Sequence, residues 1–182
     1  MTWKNSETKY GSASVGLHWL MLLLIAAIYA YMEFREILPK GSALREGMKT
    51  WHYMLGLAVL GLVWLRLAVQ LAGGTPGTKP QSPRWQMLFA GLMKIALYVF
   101  MIGTPLLGWM LLSAEAKPIP FFGLELPSLM SENKEFAKQL KELHETVSTV
   151  GYFLIGLHAA AALYHHYVVG DNTLRRMLPF QK

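Results

Sequence analysis

The chain contains no cysteine. Disulfides, iron–sulfur clusters, thiolate zinc sites and a thiol nucleophile are therefore excluded, and so is covalent haem attachment through a C-x-x-C-H motif. Charged residues are also few, 15% of the chain against 53% hydrophobic. They fall between long apolar runs rather than within them, the pattern of an integral membrane protein. No internal repeat or low-complexity tract is present. The net charge of +6 and pI near 9.6 would suggest a nucleic-acid partner for a soluble domain. Here the basic residues flank apolar segments, so membrane lipid is the expected partner and nucleic acid is not.

What the chain does have is four apolar stretches, at roughly residues 14–34, 51–72, 85–113 and 144–169. Each can cross a hydrocarbon core of about 30 Å, which takes about 20 helical residues. Inside a bilayer such a run must be helical, because the backbone has no other way to satisfy its polar groups. The expected fold is an all-α integral membrane protein, an antiparallel four-helix transmembrane bundle forming one domain over residues 1–182. The first run, VGLHWLMLLLIAAIYAYM, exceeds the usual signal-peptide core of about 7–15 residues and is read as a retained helix. Trp19, Trp51, Trp85 and Trp109 sit near span ends, as interfacial anchors do. The stretch GGTPGTKPQSPR reads as a turn, and Pro105 predicts a kink or a neighbour that relieves the lost hydrogen bond. The connection from Ala114 to Leu143 is longer and acidic. Within it, residues 131–143 carry helical spacing at Phe136, Leu140 and Leu143, as an interfacial helix or an extension of the fourth span. Four spans put both termini on one side. Nine basic residues there against eight opposite favour cytoplasmic termini.

Six histidines fall on this map. His18 lies near the start of the first span and His52 near the start of the second, at opposite membrane faces. His144 opens the fourth span, His158 lies deeper in it, and His165 and His166 close it. His144 and His158 are 14 residues apart, about 40° short of four turns and roughly 21 Å along the axis, so they share a face. His52 matches His144 in depth, and His18 matches His158. Two facing pairs, one near each membrane face, are what two bis-histidine haems stacked across a bilayer require. Arg66 follows His52 by 14 residues and is placed to pair with a haem propionate. Gly56, Gly61, Gly151 and Gly156, with the run Ala159 to Ala162, would let a flat macrocycle approach the backbone.

Each position alone has a plainer reading. A single histidine at a helix end is more often an interfacial polar residue than a ligand. Arg66 can snorkel to the headgroups, and the glycines can serve helix packing. His165 and His166 sit where solvation is commoner than ligation. The case rests on four histidines with matched depths.

The stretches GLHWL, AYMEFREILP, WHYMLGL, LHETV and GYFLIGLHAAAALYHHYVVGDNTLRRMLP resemble the bacterial cytochrome b561 family, small di-haem quinone-linked proteins that include superoxide oxidase. They cover all but the third span. The resemblance implies four transmembrane helices, two b haems, and electron transfer between the periplasmic face and the quinone pool of the bacterial inner membrane. It implies His18 with His158, and His52 with His144, as axial ligands of the haem irons. Some relatives have a histidine near the start of the third helix, where this chain has Lys94. That leaves no quinone or proton role assigned to the helix.

On this reading an electron enters at the His52–His144 haem and leaves from the His18–His158 haem to ubiquinone. His165, seven residues after His158, stays within about 20° of that face and roughly 10 Å nearer the surface. It is the expected quinone contact, with a solvated interfacial role equally open. Filled axial positions favour outer-sphere transfer, and no catalytic residue beyond the haem is expected. Superoxide is the expected donor, with Arg35, Lys40, Arg45, Lys49 and Lys117 as the candidate cationic entrance, although the neighbouring acidic residues argue against a uniform field. One alternative is a haem-bearing anchor that takes electrons from a peripheral dehydrogenase or hydrogenase subunit. Another is a non-redox histidine membrane protein, such as a metal transporter.

Overall fold

A computed structural model describes residues 3–6, 9–74, 76, 77 and 83–178. Half of the expected turn over residues 73–84 lies outside the described residues, Lys79 included, and so does Lys182. Four long helices dominate: α1 (Ser12–Arg35), α2 (Ala43–Gly73), α3 (Arg84–Ala114) and α4 (Lys134–Tyr164). All four are long and apolar enough to cross a membrane. The protein is an all-α integral membrane protein with antiparallel spans. The buried share of each apolar window runs from 6% in α4 to 28% in α2. So much uncovered apolar surface requires a non-aqueous surrounding, which lipid supplies.

The helices are longer than the apolar runs that announce them. α2 begins at Ala43, not near Trp51, because Ser42 caps it: the Ser42 hydroxyl accepts from Arg45 N at 3.3 Å, and its carbonyl accepts from Glu46 N. α4 begins at Lys134, so the helical stretch before His144 is an extension of the fourth span. Asn133 starts it, accepting from Phe136 N through its side chain at 3.0 Å and from Ala137 N through its carbonyl. Such caps satisfy the orphan N–H groups of a first turn. Hydropathy finds the buried part of a spanning helix and misses these polar turns outside it.

The chain forms two compact units. The terminal unit comprises Met1–Leu20, Val63–Phe100 and Thr149–Lys182. It gathers the starts of α1 and α3 with the ends of α2 and α4. Its N-terminal segment is tied down by Asn5, whose amide donates to the Gly74 carbonyl at 2.9 Å. The Asn5 side-chain oxygen accepts from Gly11 N and the Ser14 hydroxyl. A Cβ at Gly11 would lie 2.4 Å from the Trp3 carbonyl oxygen, so glycine is required there. Beyond α4 a π-turn, His165–Val169, leads through Gly170 (φ 74°) to a 3₁₀ turn, Arg175–Met177. Trp19 Nε1 donates to the Met177 carbonyl at 2.7 Å, so this tryptophan anchors the chain's own tail.

The hairpin unit comprises Met21–Leu62 and Met101–Ser148. Between α3 and α4 in the chain it carries a two-stranded antiparallel hairpin, β1 (Pro120–Phe121) and β2 (Leu124–Glu125), which the hydrophobic pattern did not predict. Both turn residues, Phe122 (φ 47°) and Gly123 (φ 88°), are left-handed, as a tight hairpin requires. Ile119 just before β1 is buried against Leu57 and Leu112. Trp109 Nε1 donates to the Pro127 carbonyl at 3.0 Å, so it too holds a loop. Tyr29 donates to the Ser148 carbonyl at 2.6 Å, linking α1 to α4.

Candidate functional site

In the hairpin unit, His52 on α2 faces His144 on α4, with ring centroids 6.1 Å apart and planes at 75°. An iron bonded to one nitrogen of each imidazole at about 2 Å would hold the centroids roughly 6 Å apart. The spacing fits a shared metal and is also that of an edge-to-face ring pair. His52 Nδ1 lies 3.4 Å from the Ile28 carbonyl of α1. A carbonyl only accepts, so Nδ1 carries the proton and Nε2 keeps its lone pair. That is the usual state of a metal-ligating histidine. His144 Nδ1 is buried and lacks a hydrogen-bond partner among the described residues. Its ring is admitted by Gly108 of α3, where a Cβ would lie 3.3 Å from His144 Cε1. Neither Ile28 nor Gly108 carries a signal in the sequence.

In the terminal unit, His18 on α1 faces His158 on α4, with centroids 6.2 Å apart and planes at 67°. The spacing again suits one iron. Here, however, the neighbour is charged: Arg66 Nη2 of α2 donates to His18 Nδ1 at 3.1 Å. Arg66 is thus beside the pair and, among the described residues, on an imidazole rather than on an anion. A Cβ at Gly56, Gly61 or Gly156 would meet nothing within 4 Å. The protein's own helices do not press on these three glycines.

The second group in the terminal unit surrounds His165. It lines an apolar cleft of about 340 Å³ with Trp85, Gln86 and Phe89 of α3 and Leu157, Ala160, Ala161 and Tyr164 of α4. His165 opens the π-turn, and its Nδ1 donates to Asp171 Oδ2 at 2.7 Å. Burial alone would raise the Asp171 carboxyl, but hydrogen bonds from Thr173 and His165 outweigh it and hold the group below the ordinary carboxylate range. Asp171 was not singled out by sequence, because a loop turning back through Gly170 brings it to His165. His166 Nδ1 is also buried without a partner among the described residues, and Lys94 is exposed on α3.

Among the described residues, three glutamates pair with four of the five cations expected to form the steering cluster, and Lys40 is exposed. Arg35 and Arg45 both pair with Glu36, Lys49 with Glu46, and Lys117 with Glu115. Arg45 is buried, and its Nη1 donates to the Arg35 and Leu38 carbonyls, closing the end of α1. The Glu115 contact raises Lys117 above the ordinary lysine value, which keeps it charged.

Comparison with known proteins gives a consistent set of similarities. A family model described as prokaryotic cytochrome b561 matches residues 9–180. The chain is 40% identical to Cytochrome b561 homolog 1 of Escherichia coli (strain K12), over 96% of this chain and 99% of that protein. It is 36% identical to Probable superoxide oxidase CybB of Yersinia pestis, over 94% and 96% respectively. Cytochrome b561 homolog 2 of the same Escherichia coli strain is 27% identical, over 98% and 95%.

Proposed function

The chain belongs to the prokaryotic cytochrome b561 family, a family of b-haem membrane electron carriers, and from that premise we propose that it passes electrons through two b haems to ubiquinone, with superoxide as donor. The observation that carries the proposal is the pairing of His52 with His144 and of His18 with His158 at the spacing one iron needs. These four histidines would hold the two haem irons, and the haems would supply one-electron oxidation and reduction. The protein's own task is to hold, insulate and bias.

His52 is set for ligation by the Ile28 carbonyl. His18 needs one adjustment. A guanidinium has no acceptor, so beside Arg66 the proton of a neutral His18 sits on Nε2. To hold an iron through Nε2, His18 would carry that proton on Nδ1 instead, and Arg66 would turn to another acceptor. A haem propionate is such an acceptor, and this is the role proposed for Arg66. His165 is the proposed quinone contact. Two superoxide ions each give up one electron and become oxygen, and ubiquinone takes two electrons and two protons to become ubiquinol.

The test is stopped-flow mixing of the purified protein with superoxide. Reduction of the haem bands faster than spontaneous dismutation is expected, followed by reoxidation on adding a short-chain ubiquinone. Bands indifferent to superoxide would remove it as donor. The second reading is then a haem-bearing anchor for a peripheral redox subunit, favoured by the glutamates that pair with four of the hairpin-end cations. The termini are proposed to be cytoplasmic and the membrane the bacterial inner one.

A further inference from the structure

The cleft beside His165 holds more than the proposed function uses. Its walls are apolar and partly aromatic, with Trp85 and Phe89 on the α3 side and Ala160 and Ala161 leaving room on α4. Two polar groups interrupt this lining. The first is Gln86, whose Oε1 is buried and has no hydrogen-bond partner among the described residues. An unpaired buried acceptor is costly to a fold and is satisfied by any ligand that brings a donor to it. The second is His165. Its Nδ1–H is taken by Asp171, whose side chain is 1% exposed and which also accepts from Thr173 N at 2.8 Å. Nε2 is the nitrogen left for a ligand, and in the neutral ring it is an acceptor. The π-turn makes the arrangement possible, returning the chain so that Asp171 N donates to the His165 carbonyl at 3.1 Å. Such turns inside helices are frequent at functional sites.

We infer that this cleft selects the reduced form of its ligand: Gln86 and His165 present two acceptors to the two hydroxyls of a quinol, and Asp171 is the positioning residue that fixes His165 in the accepting tautomer. The inference rests on the reading of His165 as the quinone contact and adds which redox form is held and by which groups. The Gln86 amide can turn over and offer its N–H to a quinone carbonyl, but His165 Nε2, held as an acceptor by Asp171, cannot, so a quinone gains one hydrogen bond where a quinol gains two. A flat ring against aromatic walls gives both forms the same apolar contact, so hydroxyl donors make the difference.

The experiment uses the haem-loaded full chain in detergent, under anaerobic conditions. Dissociation constants are measured by equilibrium dialysis for a short-chain ubiquinol, the matching ubiquinone, and the quinol dimethyl ether, which lacks both donors. The wild-type protein is expected to hold the quinol roughly ten-fold more tightly than the other two. Asp171→Asn loses most of that preference with unaltered haem bands, because either tautomer of His165 is then supported, whereas Gln86→Leu weakens quinol and quinone alike. Should Asp171→Asn fail to assemble, His165→Phe, which removes the acceptor, decides in its place. Equal affinity of the wild type for all three compounds, or a preference untouched by Asp171→Asn or by His165→Phe, overturns the inference. If pre-reduced haem still passes electrons to ubiquinone in that case, the proposed function stands and only the selectivity falls. If no quinone or quinol binds or exchanges electrons with the haem, both fall together.

Discussion

The two histidine pairs share a spacing and differ in company. In the hairpin unit, His52 turns its Nδ1 to the Ile28 carbonyl and His144 Nδ1 has no partner among the described residues. In the terminal unit, His18 Nδ1 meets the Arg66 guanidinium. A carbonyl acceptor makes an imidazole a richer electron donor to its metal. A nearby cation opposes extra positive charge on the iron and so favours the reduced state. On the proposed function, the hairpin-unit haem would then be the one to give electrons and the terminal-unit haem the one to receive them. The two histidine pairs are made unequal by one neighbour each, and that inequality would give the proposed conduit its direction.

The largest test of the comparison is removal of a ligand. His52→Ala and His158→Ala should each lower haem content, read by pyridine haemochrome, by about half, with the other pair's spectrum retained. Loss of all haem from either variant would mean that the units do not load independently. Next in size is Arg66→Leu. It should lower the midpoint potential of the terminal-unit haem by on the order of 60 mV, a ten-fold change in equilibrium constant, and leave the hairpin-unit haem in place. A shift of the wrong haem, seen by redox titration, would reverse the assignment. Smaller again is Gly108→Ala, where the added methyl meets His144 Cε1 at 3.3 Å. It should perturb only the hairpin-unit haem in low-temperature spectra and destabilise the protein by about 1 kcal/mol or more.

The smallest effect concerns Glu36, held below the ordinary carboxylate value of 4.5 by hydrogen bonds from Arg35 and Arg45. A depressed carboxyl contributes stability that is present above its unfolded value and lost as pH falls through its folded value. Wild-type Tm should therefore fall below about pH 4.5 more steeply than that of Glu36→Gln, and the two should converge in strong acid. Parallel curves would show that this exposed pairing contributes nothing measurable, as is common for surface ion pairs.

The spans were legible because a run of some 20 apolar residues has one physical outcome in lipid. The histidine pairs were legible because residues 14 apart on a helix share a face and because depth in a bilayer can be counted along the chain. What escaped has a common cause. The hairpin of Pro120–Glu125 is four strand residues around a turn that puts Phe122 in a conformation glycine would take more easily. Gly108 matters through a close approach from another helix. Asp171 reaches His165 only because Gly170 adopts φ 74°. Each of these is a contact made by the folded chain, and no periodicity announces it.

α4 and its π-turn together run for 36 residues, Lys134–Val169, on the order of 50 Å at the rise of an α-helix, against about 30 Å of hydrocarbon. The surplus is at the polar beginning, so the first turns of the helix stand in water. His144 follows ten residues after Lys134, close to where the chain meets the oil. On the proposed function, a hydrophilic donor too bulky to dissolve in lipid would therefore reach the His52–His144 pair without a membrane-soluble shuttle.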